Sequence, residues 1–465
     1  MKNSAFLKFL TDRLLPVLWL GLILTATSCK DQEKPKLQIA VFDVDVTPPL
    51  GTPVAYAPAM RIDDPLSAKG IVFLSDQPPI VFCSVDYLGI ANEGMQAWKE
   101  SLATAANTTI DRVSVHAIHQ HDGMRCDFTT ENILAEYGLG GRRYDNDYNQ
   151  KMIDKAGQQV RLAMQNPQVV THLGTGKAKV KQVASNRRVL GPDGQVAIIR
   201  WSRTTDSAAI AAPEGLVDPW LRSVSFWNDD QALAVMTYYA VHPQSYYGEG
   251  HVTCDFVGIA RNHRQQKTNL PHIHFNGAGG NITAGKYNDG SEENRPVLTQ
   301  RMEKAMAEAL KNTAKSPVSA ADIHWRSVDT ALPLGSHLVE SDLREVLADE
   351  EAEFNARFTA AKHLAWLKRT EEGHQIQVSS LQIGDVSLLN LPGELFIEYQ
   401  LAAQEMRPQD FVCTAAYEEY GPGYIGTEIA YTQGGYETSE RASRVAPKAE
   451  GVLMAAIRKV LAVEE

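Results

Sequence analysis

The sequence predicts a mixed α/β fold, with mixed β-sheets flanked by helices in one large domain. Three observations lead there. Short alternating or wholly apolar runs, bounded by Gly, Pro, Asn and Asp, recur along the chain as strands. Longer stretches with apolar residues every three or four positions separate them. No internal repeat and no eightfold β–α alternation is present, which argues against a solenoid or a (β/α)8 barrel. With 44% hydrophobic and 22% charged residues among 465, the chain has the composition of a folded globular protein. A net charge of -11 argues against a nucleic-acid partner.

The elements follow in order. Gln38–Val46 reads as a first strand, ended by Pro48 and Pro49, which cannot serve a central ladder. Lys69–Leu74 and Ile80–Val85 read as a strand pair around Gln77-Pro78-Pro79. Asp86 closes the second, a place where active-site carboxylates often lie. Met95, Trp98, Leu102 and Ala105 mark a helix over 93–106. Asp111–Val115 alternates as a strand. Residues 126–146 read as a polar loop, 147–166 as a helix, and 169–173 and 177–183 as two strands. Leu221–Trp227 and Leu233–Ala240 form a hairpin whose second strand is apolar enough to be buried on both faces. A helix follows from about Thr253 to Gln266, with Asp255 as a cap or a ligand support. His272–Phe275 is a strand opening on a glycine-rich loop. Residues 296–314 form a helix, 320–330 a strand, and 342–372 a long helical region on which Glu350, Glu351 and Glu353 face solvent. A hairpin over 376–391 and helices over 396–406 and 446–463 complete the pattern.

The amino terminus reads as a targeting segment. Lys2, Lys8 and Arg13 precede the apolar run Leu14–Leu24, which is too short to span a membrane comfortably. Ala26-Thr27-Ser28-Cys29 is similar to a bacterial lipobox, with Ala26 where leucine is usual. The expected organisation is a lipoprotein-type signal peptide over 1–28, a tether over 29–37 and the domain over 38–465. The lipidated Cys29 would associate the chain with a membrane in the cell envelope, in the periplasm or on the outer membrane, or the chain would be secreted. Cys83, Cys126, Cys254 and Cys413 contain no C-x-x-C pair, so two disulfides and four free thiols both remain open.

The chemistry concentrates in Ser114–Gly123, where His116, His119, His121 and Asp122 crowd together. An H-x-H pair at a strand end projects both imidazoles to one face, a ready half of a zinc site. An isolated pair is equally an ordinary polar strand end, so it needs partners. His242 follows the buried strand and is fixed by Pro243. Glu394 sits between a strand end and a helix. His272 and His274 form a rival pair, set back along their strand behind the glycine loop. Arg187 lies in the basic turn 185–188. Tyr417–Glu437 is an aromatic, glycine-rich segment of unusual composition for a connector.

Taken in order, these pieces resemble the neutral/alkaline (non-lysosomal) ceramidases, through their amino-terminal catalytic domain. Asp45-Val46-Thr47-Pro48 is similar to that family's D-I-T-P, and His119–Gly123 to its H-T-H-S-G. Asn186-Arg187 resembles N-R-S, Ala240–Pro243 resembles A-[IV]-H-P, and Pro392-Gly393-Glu394 matches P-G-E. Tyr424–Thr427 and Tyr436-Glu437 are similar to its Y-[IV]-T-T and the Y-E beyond. The resemblance implies one zinc held by His119, His242, Glu394 and Tyr424. It implies His121, Arg187, Thr283 and Tyr436 as neighbouring catalytic groups, and a zinc-activated water attacking the N-acyl bond of a ceramide-like lipid. Gly280-Asn281-Ile282-Thr283 departs from the family's G-D-V-S, and its carboxyl-terminal β-sandwich domain is expected to be missing. These departures keep two alternatives open: the same metal chemistry on a non-lipid amide or ester of cell-envelope or glycan origin, and a non-catalytic surface binding protein.

Overall fold

In the computed structural model, which describes residues 36–463, three mixed β-sheets follow one another along the chain. The first contains β1 (Gln38–Asp45), β2 (Ser67–Leu74), β3 (Ile80–Val85), β4 (Val113–Ala117) and the short β5 (Gln168–Val169), in the order β4-β3-β2-β1-β5. The second contains β6 (His172–Lys179), β7 (Trp220–Asn228), β8 (Gln231–Tyr239), β9 (His272–Asn276) and β10 (Ala314–Pro317), in the order β9-β8-β7-β6-β10. The third runs β11 (Ile323–Thr330), β12 (Ile376–Ile383), β13 (Val386–Asn390) and β14 (Phe411–Ala415). The described residues form one compact unit.

Strand alternation explains how the sheets stack. In the first sheet Ile39, Ile71, Phe73, Ile80 and Phe82 face a shared apolar cluster with Phe226, Met236, Phe275, Leu381 and Leu388 of the other two. Their neighbours Ala40, Phe42, Val72, Val81 and Cys83 point the other way, onto α1 (Asn92–Ala106) and α2 (Asn146–Ala163). On the second sheet, α3 (Asp255–Thr268) packs on β9 and α4 (Arg295–Lys311) on β6 and β7. Farther along lie α5 (Phe354–Glu371), α6 (Ile397–Met406) and α7 (Ala449–Val460), and α7 covers β11 and β12.

Each sheet contains one parallel pair: β3 with β4, β8 with β9, and β13 with β14. The chain leaving β4, β8 and β13 supplies His119, His242 and Glu394 in turn. The site is therefore built where the carboxyl ends of three sheets meet.

The structure also corrects several expectations. Within 126–146, expected to be a loop, Asp127 accepts from the Thr130 N–H and caps a helix over Phe128–Glu136. The strands expected at 169–173 and 177–183 are instead the two-residue β5 and one continuous β6. Gly174 and Gly176 lie inside β6 because a Cβ there would fall 2.4 Å from Ser225 Oγ and 2.0 Å from the Ala309 carbonyl oxygen. The long helical region breaks into Glu340–Ala348 and α5, and Glu350 and Glu351 lie in the break rather than on a helix face. Asp86 is no site residue: it is fully buried, accepts from both Arg261 terminal nitrogens at 2.7 and 2.9 Å, and also binds Ser67. Cys83, Cys126, Cys254 and Cys413 are buried free thiols. The signal segment, Cys29 and most of the tether lie outside the described residues.

Candidate metal centre

His119 lies two residues past β4, and its backbone is left-handed, with φ of 69°. The strand has ended, so the H-x-H pair is not displayed on one strand face as its spacing suggests. A non-glycine residue in this region is strained and persists only when its surroundings hold it. Here the Ile118 and His119 N–H groups donate to the Val85 and Tyr87 carbonyls. The His119 ring stacks on Tyr417 at a centroid distance of 4.4 Å and stands perpendicular to His121 at 4.9 Å. His242 is held by its N–H to the Ile282 carbonyl. Glu394 and Tyr424 are direct partners in a short parallel ladder, which sets the carboxylate and the phenol side by side.

Four polar atoms converge as a result. His119 Nε2 lies 3.0 Å from His242 Nε2 and 3.2 Å from Glu394 Oε2. His242 Nε2 lies 3.1 Å from the same carboxylate oxygen and 3.2 Å from the Tyr424 hydroxyl. The other ring nitrogens face backbone carbonyls: His119 Nδ1 is 2.7 Å from Leu88 O, and His242 Nδ1 is 2.7 Å from Gly279 O. A carbonyl only accepts, so each ring carries a proton on Nδ1, which points Nε2 inward as the available metal ligand. Burial, working against the Glu394 contact, pushes His242 down to about 4, so this ring is neutral near pH 7. Burial would raise the Glu394 carboxyl, but the two histidines outweigh it and hold the group well below its usual range.

With Nε2 unprotonated, two lone pairs and a carboxylate oxygen at these separations repel one another unless a cation lies between them. The spacing suits a metal. Tetrahedral ligands at about 2.0 Å from zinc are about 3.3 Å apart along each edge. His119, His121 and His242 also offer nitrogens within 4.8 Å of one another, so the buried histidine group could hold a metal ion.

Around these atoms the supporting contacts are specific. The Tyr420 hydroxyl donates to Glu394 Oε1 at 2.7 Å, leaving Oε2 for the centre. Arg187 is buried, donates to the Tyr424 oxygen at 3.0 Å and pairs with Glu437 at 3.1 Å. His121 lies between Tyr56, whose hydroxyl is 2.8 Å from Nδ1, and Gln244, whose amide nitrogen is 2.9 Å from Nε2. Burial and the neighbouring histidines hold His121 well below its usual range. The Tyr436 ring meets Tyr424 edge-on at 5.7 Å.

Thr283 differs from the other expected site residues. Its hydroxyl donates to the Trp201 carbonyl at 3.2 Å and accepts from the Gly285 N–H, contacts that tie these loops together. Asn281 receives the Ile397 N–H and donates to Glu398, which orders the start of α6. The glycine loop approaches protein backbone: a Cβ on Gly280 would lie 2.2 Å from the Glu394 carbonyl oxygen. His116 bonds to the Ala416 carbonyl and Asn390, and His274 to Thr237, both away from the centre. Sequence reasoning missed Tyr56, which no motif marks. It singled out the segment holding Tyr417 and Tyr420, but not their contacts.

Comparison with family models and with curated protein sequences finds no match. Comparison of folds does. The chain is similar to the crystal structure of neutral ceramidase from Pseudomonas aeruginosa, with a TM-score of 0.64 and 15% identity over 92% of this chain and 75% of that one. It is similar to the structure of a ceramidase complexed with C2, with a TM-score of 0.64 and 15% identity over 93% of this chain and 77% of that one. The chain has a ceramidase-like fold.

Proposed function

We propose that this protein is a zinc-dependent amide hydrolase, with His119, His242, Glu394 and Tyr424 holding the ion. The observation that carries the reading is the meeting of two inward Nε2 atoms and a carboxylate oxygen within 3.2 Å of one another. Two imidazoles and carboxylate or phenolic oxygens are suitable donors for zinc, and the ceramidase-like fold supports the reaction class. Zinc supplies Lewis-acid polarisation of an amide carbonyl and a lowered pKa for water beside it.

The surrounding groups have separable tasks. His121, neutral and fixed by Tyr56 and Gln244, takes up a proton and delivers it to the departing amine. Arg187 and Tyr436 face the growing negative charge on the carbonyl oxygen. Thr283 acts through loop geometry.

The cavity over the centre has a volume of about 680 Å³. Its lining combines Arg and Lys side chains with the rings of Phe358, Trp201 and five tyrosines. This lining favours a polar amide over a two-chain lipid such as ceramide. Metal analysis and hydrolysis of an N-acyl amide panel that includes ceramide test the reading. One zinc per chain and turnover of at least one amide are expected, both lost in His119→Ala and Glu394→Ala. Full activity in either variant refutes the ligand set, and a metal-free, inactive wild type leaves the binding-protein alternative. Export and lipidation at Cys29 are inferred from the sequence, and mass spectrometry of the mature amino terminus tests them.

A further inference from the structure

The cavity beside the metal centre has an electrostatic character at odds with the whole chain. The protein carries a net charge of -11. Yet the lining includes Arg125, Arg143, Arg187, Arg203, Lys362 and Arg441 against one carboxylate, Glu394. Glu394 is already engaged by His119, His242 and Tyr420. Among the described residues, only Arg187 of these six cations has an ion-pair partner.

Three of the cations surround one ring. Arg125, Arg143 and Lys362 lie 5.6, 5.7 and 4.7 Å from the centroid of Phe358. Arg125 is only 7% exposed, and among the described residues its guanidinium makes one hydrogen bond, from Nε to the Ala55 carbonyl at 3.3 Å. Arg143 donates to the Tyr56 carbonyl and to Asn355. Burial, then the positive charges of Arg444 and Arg125, hold the Lys362 ammonium well below its usual range, a cost that an anion placed among them relieves. Crowded like charges without counter-charges destabilise a fold unless a ligand supplies the opposite sign.

The cluster also lies close to the chemistry. Arg125 packs over the Tyr56 ring at 5.4 Å, and the Tyr56 hydroxyl touches His121. The Tyr56 ring thus lies between Arg125 and the proposed proton carrier, which puts the cations and the chemistry in one cavity.

We propose that Arg125, Arg143 and Lys362 form an anion subsite, and that the substrate is an amide bearing a carboxylate, sulfonate or phosphate on its amine side. This deepens the hydrolase reading and rests on it. The test uses zinc-loaded wild-type protein and matched lauroyl amides of glycine, taurine, phosphoethanolamine, ethanolamine and glycinamide. The first three carry different anions and the last two are neutral. At least a tenfold higher kcat/KM is expected for one or more anionic members, with the preferred member identifying the anion. Lys362→Met and Arg143→Gln should reduce that preference about tenfold while changing neutral-substrate kcat/KM less than threefold. Both are partly exposed, so the test does not depend on replacing the buried Arg125.

Equal or better turnover of the neutral amides overturns the proposal, as does an equal loss for both classes in the variants. If no amide is hydrolysed, the hydrolase reading fails, and calorimetric titration with lauroylglycine and lauroylglycinamide decides the subsite separately. Tighter binding of the glycine compound, weakened by salt and by Lys362→Met, supports it. Equal binding of the two refutes it, and a preference unchanged in both variants assigns the anion to the metal instead.

Discussion

The Nε2 atoms of His119 and His242 face each other across 3.0 Å, and both lie within 3.2 Å of Glu394 Oε2. Each ring commits its Nδ1 hydrogen to a backbone carbonyl on its far side. The proposed zinc would lie between the rings and use both nitrogens as ligands.

Metal removal should therefore loosen the protein as well as silence it. Dialysis against a strong chelator is expected to lower the melting temperature by several degrees, with stoichiometric zinc restoring it. An ion at a thousand times its Kd stabilises the folded state by about 4 kcal/mol. Differential scanning fluorimetry checks this, and an unchanged melting curve would rule out an ion at this site.

Tyr420→Phe removes only the hydroxyl that orients Glu394 through Oε1. Loss of such a supporting contact lowers metal affinity by roughly 10- to 100-fold. Competition against a zinc-binding dye should show that loss, with the metal-loaded fold intact by circular dichroism.

Gly280→Ala should be severe because the new Cβ meets backbone, the Glu394 carbonyl oxygen at 2.2 Å and its carbon at 2.8 Å. The strand end carrying Glu394 would have to move, so at least a tenfold loss of zinc affinity is expected. Gly451→Ala is the contrast. It lies in α7 with nothing within 4 Å of the new Cβ, and should stabilise the protein by about 0.5–1 kcal/mol. Equilibrium denaturation and zinc titration of both variants check the pair.

Acid should destabilise the fold through histidines distant from the metal. Burial first, and Arg261 after it, pushes His274 down to about 3; burial and nearby cations push His272 to about 4. The unfolded chain titrates near 6.5, so between those values it binds more protons than the folded one. Stability is then full above about pH 6.5 and falls as pH drops toward 4 and 3. His274→Gln should flatten that dependence in urea denaturation curves. An unchanged slope would mean that His274 is protonated in the fold.

Much of this architecture was legible beforehand. The strand runs at 38–45, 80–85 and 376–383 and the helix at 92–106 carry their own periodicity, and each formed within two residues of its expected limits. Local signals failed where the decisive contact was distant. Residues 174–176 fell between two expected strands, yet Gly174 and Gly176 let β6 pass close to Ser225 and Ala309. β14 went unread because the short stretch Phe411–Ala415 has no strong pattern of its own, and it is a strand by virtue of pairing with β13.

The same division governs the site. Motifs read in order, through the family they resemble, were enough to nominate His119, His121, Arg187, His242, Thr283, Glu394, Tyr424 and Tyr436. Only the tertiary structure could bring the ends of β4, β8 and β13 together, turn Thr283 toward Trp201, and gather Arg125, Arg143 and Lys362 around Phe358. The reason is physical. Periodicity and residue type act over a few positions, whereas the field at a point in space sums charges from chain segments hundreds of residues apart.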